Sequence, residues 1–375
     1  MKGLGLAGMG LGAAAAIDPV FKDMDDITAL SSGDKRPWFV KDLELEKPTV
    51  EIDYDVYQRF PGVWPTPDGK RAFASDEKLD RIEYVKNKFP GYEGPTARDY
   101  ALTNAASASS LGRVAPDFLG NMTGLTIKTP ADNGFSYAQW NENPEDNYLT
   151  LFNALRFFGA SYVGVVPLTA NTKKFIYAKS GARTVNFVSD PVASQTATAT
   201  NIPDKCNNVI FFSTLEATSQ AKQAPAPTWS GYDHYNRVTN RVHYFLGALG
   251  YQHLDIGGLS PSNVFGALSG AFEHSRASFI GTSWKYGNLI RGAHRIITDM
   301  PLAPTAPYDA GVARFCVNCA TCADFCPYEA MPRGEKRWDH ENPEDEKLKN
   351  YLPGYKGWRL SFTPNGCPKC KACHG

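Results

Sequence analysis

The stretch Cys316-Val-Asn-Cys319-Ala-Thr-Cys322-Ala-Asp-Phe-Cys326-Pro327 organises the reading of this chain. Its spacing is C-x2-C-x2-C-x3-C-P, in which three thiolates close around one cubane iron–sulfur cluster and the fourth crosses to a second. A partner run, Cys367-Pro-Lys-Cys370-Lys-Ala-Cys373, stands just before the last residue, so seven of the eight cysteines fall in the final sixty positions. We expect Cys316, Cys319 and Cys322 to hold one 4Fe–4S cluster, and Cys367, Cys370 and Cys373, with Cys326, to hold the other. Two clusters need eight ligands; the spacing puts the eighth beyond Gly375, so the sequence reads as cut short there. Zinc sites use paired C-x2-C hooks, and disulfides belong to oxidising compartments and mostly small domains, so neither suits three cysteines in series before Cys-Pro. Cys206 stands alone and reads as the entry to a buried strand.

At 375 residues the chain is long enough for two domains or one elaborate one. Lys+Arg and Asp+Glu number 39 each, which gives no global electrostatic case for a nucleic-acid partner. An aromatic content of 12% suits a packed core and an aromatic-lined pocket. Near the N-terminus, Gly3 to Ala16 is an uncharged Gly/Ala/Leu run after Lys2. It is too short to span a bilayer and reads as the apolar part of a signal peptide. Its mild hydrophobicity fits a twin-arginine signal, with Met1 standing just after the missing arginine pair, so residues 1–18 are expected to be a partial signal peptide.

Residues 19–144 are rich in Pro, Gly, Asp and aromatics and read as a covering region. Apolar positions at helical spacing predict a helix over Glu145 to Phe158, stopped by Gly159. Strands are expected at Ser161–Pro167, Phe175–Ala178 and Asn208–Ser213. Thr169 to Asn207 otherwise reads as a long polar connection, a candidate binding loop. A second helix is expected from Asp233 to Leu249, a short strand from His253, a small-residue helix over Pro261–Phe272, and a strand at Arg295–Asp299. Pro301 to Pro307 reads as a linker. The histidines His243, His253, His274, His294, His340 and His374 are scattered in sequence and are expected to be packed or at the surface, not metal ligands.

The export-like start, Glu145 to Lys174 (FFGASYVGVV and KKFIYAK), Thr298-Asp-Met-Pro-Leu-Ala-Pro and the first cysteine run together resemble the catalytic subunits of corrinoid-dependent respiratory reductive dehalogenases, the chlorinated-ethene type in particular. The resemblance implies an α+β fold: a nitroreductase-like corrinoid-binding core over 145–300, then a bacterial ferredoxin-like module of two 4Fe–4S clusters over 301–375. It implies cobalamin in the base-off form, electrons passing from an upstream donor through the clusters to cobalt, a small halogenated substrate and a small membrane-anchor subunit. It also implies twin-arginine export to the outer face of the cytoplasmic membrane, held there peripherally. No Asp-x-His-x-x-Gly motif occurs, so no histidine is expected on cobalt.

Replacing a carbon–halogen bond by carbon–hydrogen takes two electrons and one proton. A tyrosine is a poor acid unless a cation stabilises the anion it leaves. In the family a tyrosine serves as proton donor beside a basic residue, and Tyr232 and Arg291 stand at the matching places. Trp358 resembles a pocket-wall tryptophan, and Gly257, Gly258, Ser262 and Asn263 fall where backbone is expected to approach the corrinoid closely. Two other classes fit parts of the pattern. An epoxyqueuosine-reductase type would call for an RNA-facing basic surface and no signal peptide. An iron–sulfur electron carrier would not need the long core upstream.

Overall fold

The computed structural model describes residues 37–59, 115–133, 136–216, 226–277, 281–327, 331–338 and 354–358, with single positions at 87, 90 and 329. The partial signal peptide, most of the covering region, His340, His374 and the second cysteine run lie outside them.

Helix α1 (Pro144–Phe158) begins where its capping chemistry dictates. The Asn143 side chain accepts the Asp146 N–H at 2.9 Å, proline takes the first turn, and Glu145 and Asp146 face the positive end of the helix dipole. Gly159 ends it with φ of 107°, a left-handed conformation that costs glycine nothing. The chain then enters strand β1 (Tyr162–Pro167), which opens a four-stranded antiparallel sheet with β2 (Asn208–Leu215), β3 (His253–Asp255) and β4 (Ile290–Thr298), in spatial order β1-β2-β4-β3.

The sheet is buried on both faces. Along β2, Val209 and Phe211 face one apolar cluster while Ile210 and Phe212 face the other, all fully covered. Each such side chain contributes about 1.5–3 kcal/mol. Helices α1 and α2 (Ala226–Ala248) cover the second face, through Leu151, Leu155, Val238, Val242 and Leu246. Helix α3 (Ser262–Ser269) covers the first, through Val264, Phe265 and Leu268. Close packing there needs glycine: a Cβ on Gly164 of β1 would lie 2.9 Å from the Ser269 side chain.

Three stretches depart from the sequence expectation. Helix α2 starts seven residues before Asp233, because Pro227 falls within its first turn, where a missing N–H costs nothing. Thr172–Phe175 is a turn of 3-10 helix and Phe175–Ala178 is not a strand; Phe175 and Ile176 are core residues all the same. The expected loop over 169–207 carries a small sheet built from Lys179–Ser180, Arg183–Val188, Ser194–Gln195 and Ala199–Pro203, with a parallel pair at its centre. Its pairing needs only backbone, so its Thr/Asn-rich strands carry little apolar alternation.

Segment 301–307 does not hang free between domains. Thr305 Oγ1 accepts the Val165 N–H at 2.9 Å and donates to Ser269 O at 2.7 Å, while Ala303 N–H reaches Pro144 O. It leads to α4 (Val312–Asn318) and α5 (Thr321–Asp324), which carry the first cysteine run. Cys206 is buried two residues before β2, as expected, and burial pushes its thiol up to about 12.

Candidate functional site

The site forms where β4 breaks register. Arg291 pairs with Thr214 of β2, yet His294 pairs with Phe212, so β4 carries one extra residue between them. This is a β-bulge, with Gly292 at φ of 57°. In an unbroken strand, residues three apart face opposite sides. The extra residue restores them to one side, so both Arg291 and His294 meet α2.

Arg291 packs directly on Gly231, where an added Cβ would stand 2.8 Å from the Arg291 Cβ. The Thr214 hydroxyl donates to Gly231 O at 2.9 Å and ties this turn of α2 to the sheet. Tyr232 is the next residue, so Arg291 lies beside the turn of α2 that carries it. The Arg291 Nε donates to the fully buried carboxylate of Glu216, just past the end of β2. Glu216 was not legible in the sequence; nothing local marks it.

Tyr232 belongs to a row of rings along α2. Its centroid lies 5.7 Å from Trp229 and 5.7 Å from Tyr235, and Tyr235 stacks on His294 at 5.5 Å. Behind them the histidines read as scattered come together. Asp255 Oδ2 lies 2.8 Å from His294 Nε2 and 3.4 Å from His243 Nε2, and His243 Nδ1 meets His253 Nδ1 at 3.1 Å. The ligand atoms of His243, Asp255 and His294 lie within 4.8 Å of one another, a spacing compatible with a metal. Asp255 Oδ1 also accepts the Gly257 N–H at 2.8 Å, which fixes the carboxylate toward the histidines. Burial alone would push Asp255 upward, but His294 and His243 outweigh it and hold it well below the usual range. Burial, reinforced by His243, lowers His253 to about 4. His274 lies elsewhere, bonded to Tyr355 OH at 2.6 Å and Asn263 O at 3.0 Å.

Gly257 and Gly258 follow β3 directly. A Cβ on Gly257 would stand 2.7 Å from the His294 ring, whereas Gly258 is exposed with open space above it. The loop is held from beneath by the buried Arg295, which donates to Gly257 O at 2.7 Å and Ser260 O at 2.5 Å. Ser262 and Asn263 are half-buried at the start of α3. A groove of about 470 Å³ between α1 and α2, lined by Phe157, Phe158 and Tyr244 among others, contains none of these residues.

In the first cysteine run, Cys316, Cys319, Cys322 and Cys326 are all free thiols and half-buried. Burial raises Cys316 and Cys322, while hydrogen bonds from Thr321 lower Cys319. Four unbridged thiols at this spacing fit the donor set of a cluster site. The loop is clamped to the core by Glu273, whose Oε2 accepts the Ala310 N–H at 2.8 Å ahead of α4, and by Arg276. Trp358, expected on a pocket wall, is 2% exposed: the Arg276 guanidinium lies over its ring at 4.8 Å and its Nε1 donates to Gly334 O at 2.9 Å.

No family model matches the chain. Whole relatives do. It is 29% identical to the chloroethene reductive dehalogenase of Dehalococcoides mccartyi (strain VS), over 99% of this chain and 85% of that protein. It is 28% identical to the trichloroethene reductive dehalogenase of Dehalococcoides mccartyi (strain ATCC BAA-2266 / KCTC 15142 / 195), over 100% of this chain and 85% of that protein. In three dimensions it is similar to the catabolic reductive dehalogenase NpRdhA, with a TM-score of 0.57 at 16% identity. That match covers 88% of this chain but 43% of the larger structure. The shared fold and the two relatives matched along their length agree with the cysteine run: the chain is similar to reductive dehalogenases from end to end.

Proposed function

We propose that this chain replaces halogen by hydrogen on a small organohalide, with chlorinated ethenes as the first substrates to try, in organohalide respiration. The balance is one carbon–chlorine bond broken, one carbon–hydrogen bond formed, two electrons and one proton consumed, and one chloride released. The observation that carries the residue assignment is the contact of the Arg291 Cβ and Cγ with Gly231, which sets this side chain beside the turn of α2 that bears Tyr232. Tyr232 donates the proton to carbon. Arg291 favours the phenolate left behind, and Glu216 holds the Arg291 side chain in place. The aromatic row of Trp229, Tyr232 and Tyr235 suits a small neutral haloalkene better than a charged substrate.

The names of the relatives support the substrate class. A reductive dehalogenase structure of the same fold is described as B12-dependent, which supports a corrinoid here. The loop at Gly257 and Gly258 fits that group: it is open above Gly258 and braced below by Arg295. Ser262 and Asn263 border it. When bound, the corrinoid would supply the reducing centre, fed by clusters on Cys316, Cys319, Cys322 and Cys326 with Cys367, Cys370 and Cys373. An upstream electron donor, a small membrane-anchor subunit and twin-arginine export to the outer face of the cytoplasmic membrane complete the proposal. Among the described residues no helix is long and apolar enough to cross a membrane, so attachment through a partner suits them. The core becomes a nitroreductase-like corrinoid holder and the cysteine region a ferredoxin-like module.

The test is metal content of protein purified without oxygen with cobalamin supplied, followed by an assay on chlorinated ethenes. About one cobalt and eight iron per chain, with chloride release, is the expected result. Iron without cobalt would leave an electron carrier and overturn the reading.

A further inference from the structure

Among the described residues, Arg276 is the largest of the fully buried side chains. Its hydrogen bonds among the described residues all run to backbone carbonyls around the first cysteine run. Nε donates to Cys319 O at 2.9 Å and Cys316 O at 3.2 Å, and Nη2 to Cys316 O at 2.5 Å and Val317 O at 3.2 Å. Nη1 donates to Pro332 O at 2.9 Å and Gly334 O at 2.8 Å. Trp358 covers one face of the guanidinium at 4.8 Å, and Lys336 lies 5.1 Å from the same indole. No carboxylate among the described residues pairs with Arg276. A guanidinium is charged at every working pH, so a fixed positive charge with no paired carboxylate among the described residues lies against the backbone of the loop that carries Cys316, Cys319 and Cys322.

A scaffold needing only hydrogen bonds would not require a charge, and burying one without a counter-ion is costly. The charge lies within hydrogen-bond distance of the carbonyls of Cys316, Val317 and Cys319. One-electron reduction adds one negative charge to a cluster, and a nearby buried cation stabilises the reduced form.

We propose that Arg276 is a positioning residue that raises the reduction potential of the cluster on Cys316, Cys319 and Cys322. The electron comes from a low-potential one-electron donor and leaves to the core; no bond is made or broken at Arg276. The inference rests on the reading of these cysteines as cluster ligands.

The experiment is a redox titration of the whole cofactor-loaded enzyme followed by electron paramagnetic resonance, on wild type, Arg276→Lys and Arg276→Gln, with iron counted in each. At the wild-type midpoint, Arg276→Gln is expected to lower the reduced-to-oxidised ratio of one cluster at least tenfold, equivalent to 59 mV for one electron. The second cluster serves as internal control and stays put. Arg276→Lys, which keeps the charge, is expected to stay within about threefold of wild type on that ratio, about half that shift. A reduced-cluster signal in wild type with an unmoved midpoint in Arg276→Gln overturns the inference. So does loss of iron from both variants, because hydrogen-bond geometry and not charge would then be what the loop requires. Absence of any cluster signal in wild type instead overturns the cysteine reading itself.

Discussion

Arg291 and Gly231 touch at backbone distance: a methyl group on Gly231 would sit 2.8 Å from the Arg291 Cβ and 3.1 Å from its Cγ. Helix propensity alone favours Gly231→Ala by about 1 kcal/mol. The clash works the other way, at about 1–3 kcal/mol for overpacking, and wins. Gly231→Ala is therefore expected to lower dehalogenation at least tenfold while the metals stay bound, because Arg291 must turn away from the Tyr232 turn. Steady-state rates and metal content check it; an unchanged rate would detach Arg291 from the chemistry.

Glu216 is the buried counter-charge of Arg291. Glu216→Gln keeps the shape and a hydrogen-bonding group but removes the negative charge. Leaving one partner of a buried pair uncompensated costs about 3–5 kcal/mol at the extreme, so thermal stability is expected to fall. Without Glu216 to hold it, the Arg291 side chain is expected to leave the Tyr232 turn, so the dehalogenation rate falls at unchanged metal content. A rate that stays in place while stability drops would make the pair purely structural.

The bulge is testable through Gly292. Its φ of 57° and its closeness to Tyr235 and Thr214 leave no room for a side chain. Gly292→Ala is expected to destabilise the protein by a few kcal/mol, on the order of left-handed strain plus overpacking. The expected loss is read as a lower urea midpoint.

Acid should loosen the histidine cluster. His253 is lowered to about 4 by burial and by His243, and His294 is lowered by burial against the pull of Asp255. The unfolded chain takes up these protons near pH 6.5. The stability that depends on neutral imidazoles is thus present above about pH 6.5 and lost as pH falls from there toward about 4. The slope is up to about 1.4 kcal/mol per pH unit for each group. Asp255 does not add to this window, because a lowered carboxylate loses its contribution only below its ordinary pKa near 3.9. Urea midpoints of the whole enzyme at about pH 7 and about pH 5 are expected to fall with acid, and His253→Gln to flatten that fall. A pH-independent midpoint would contradict it.

What the sequence disclosed were local signals. The cysteine spacing, the Asn143 cap, Gly159 and the continuous apolar runs of β1 and β2 each lie within one short stretch. What it hid were meetings at long range. Asp255 joins His243 and His294 only because α2 crosses the sheet, and no spacing in the sequence marks that crossing. Arg276 reaches carbonyls forty to fifty-eight residues away. The one-residue bulge that puts Arg291 and His294 on the same face leaves only Gly292 as its trace. Tyr232 and Arg291 were singled out through family resemblance alone, and Trp358, expected at a pocket, bonds Gly334 O and lies against Arg276.

The most direct measurement is chloride released per two electrons from a chlorinated ethene, by wild type and Tyr232→Phe prepared without oxygen, with cobalt and iron counted in both. The account predicts one chloride per electron pair in wild type and at least a hundredfold loss in the variant, in line with removal of a general acid, at unchanged metal content. Full activity in Tyr232→Phe with the same metals would contradict it.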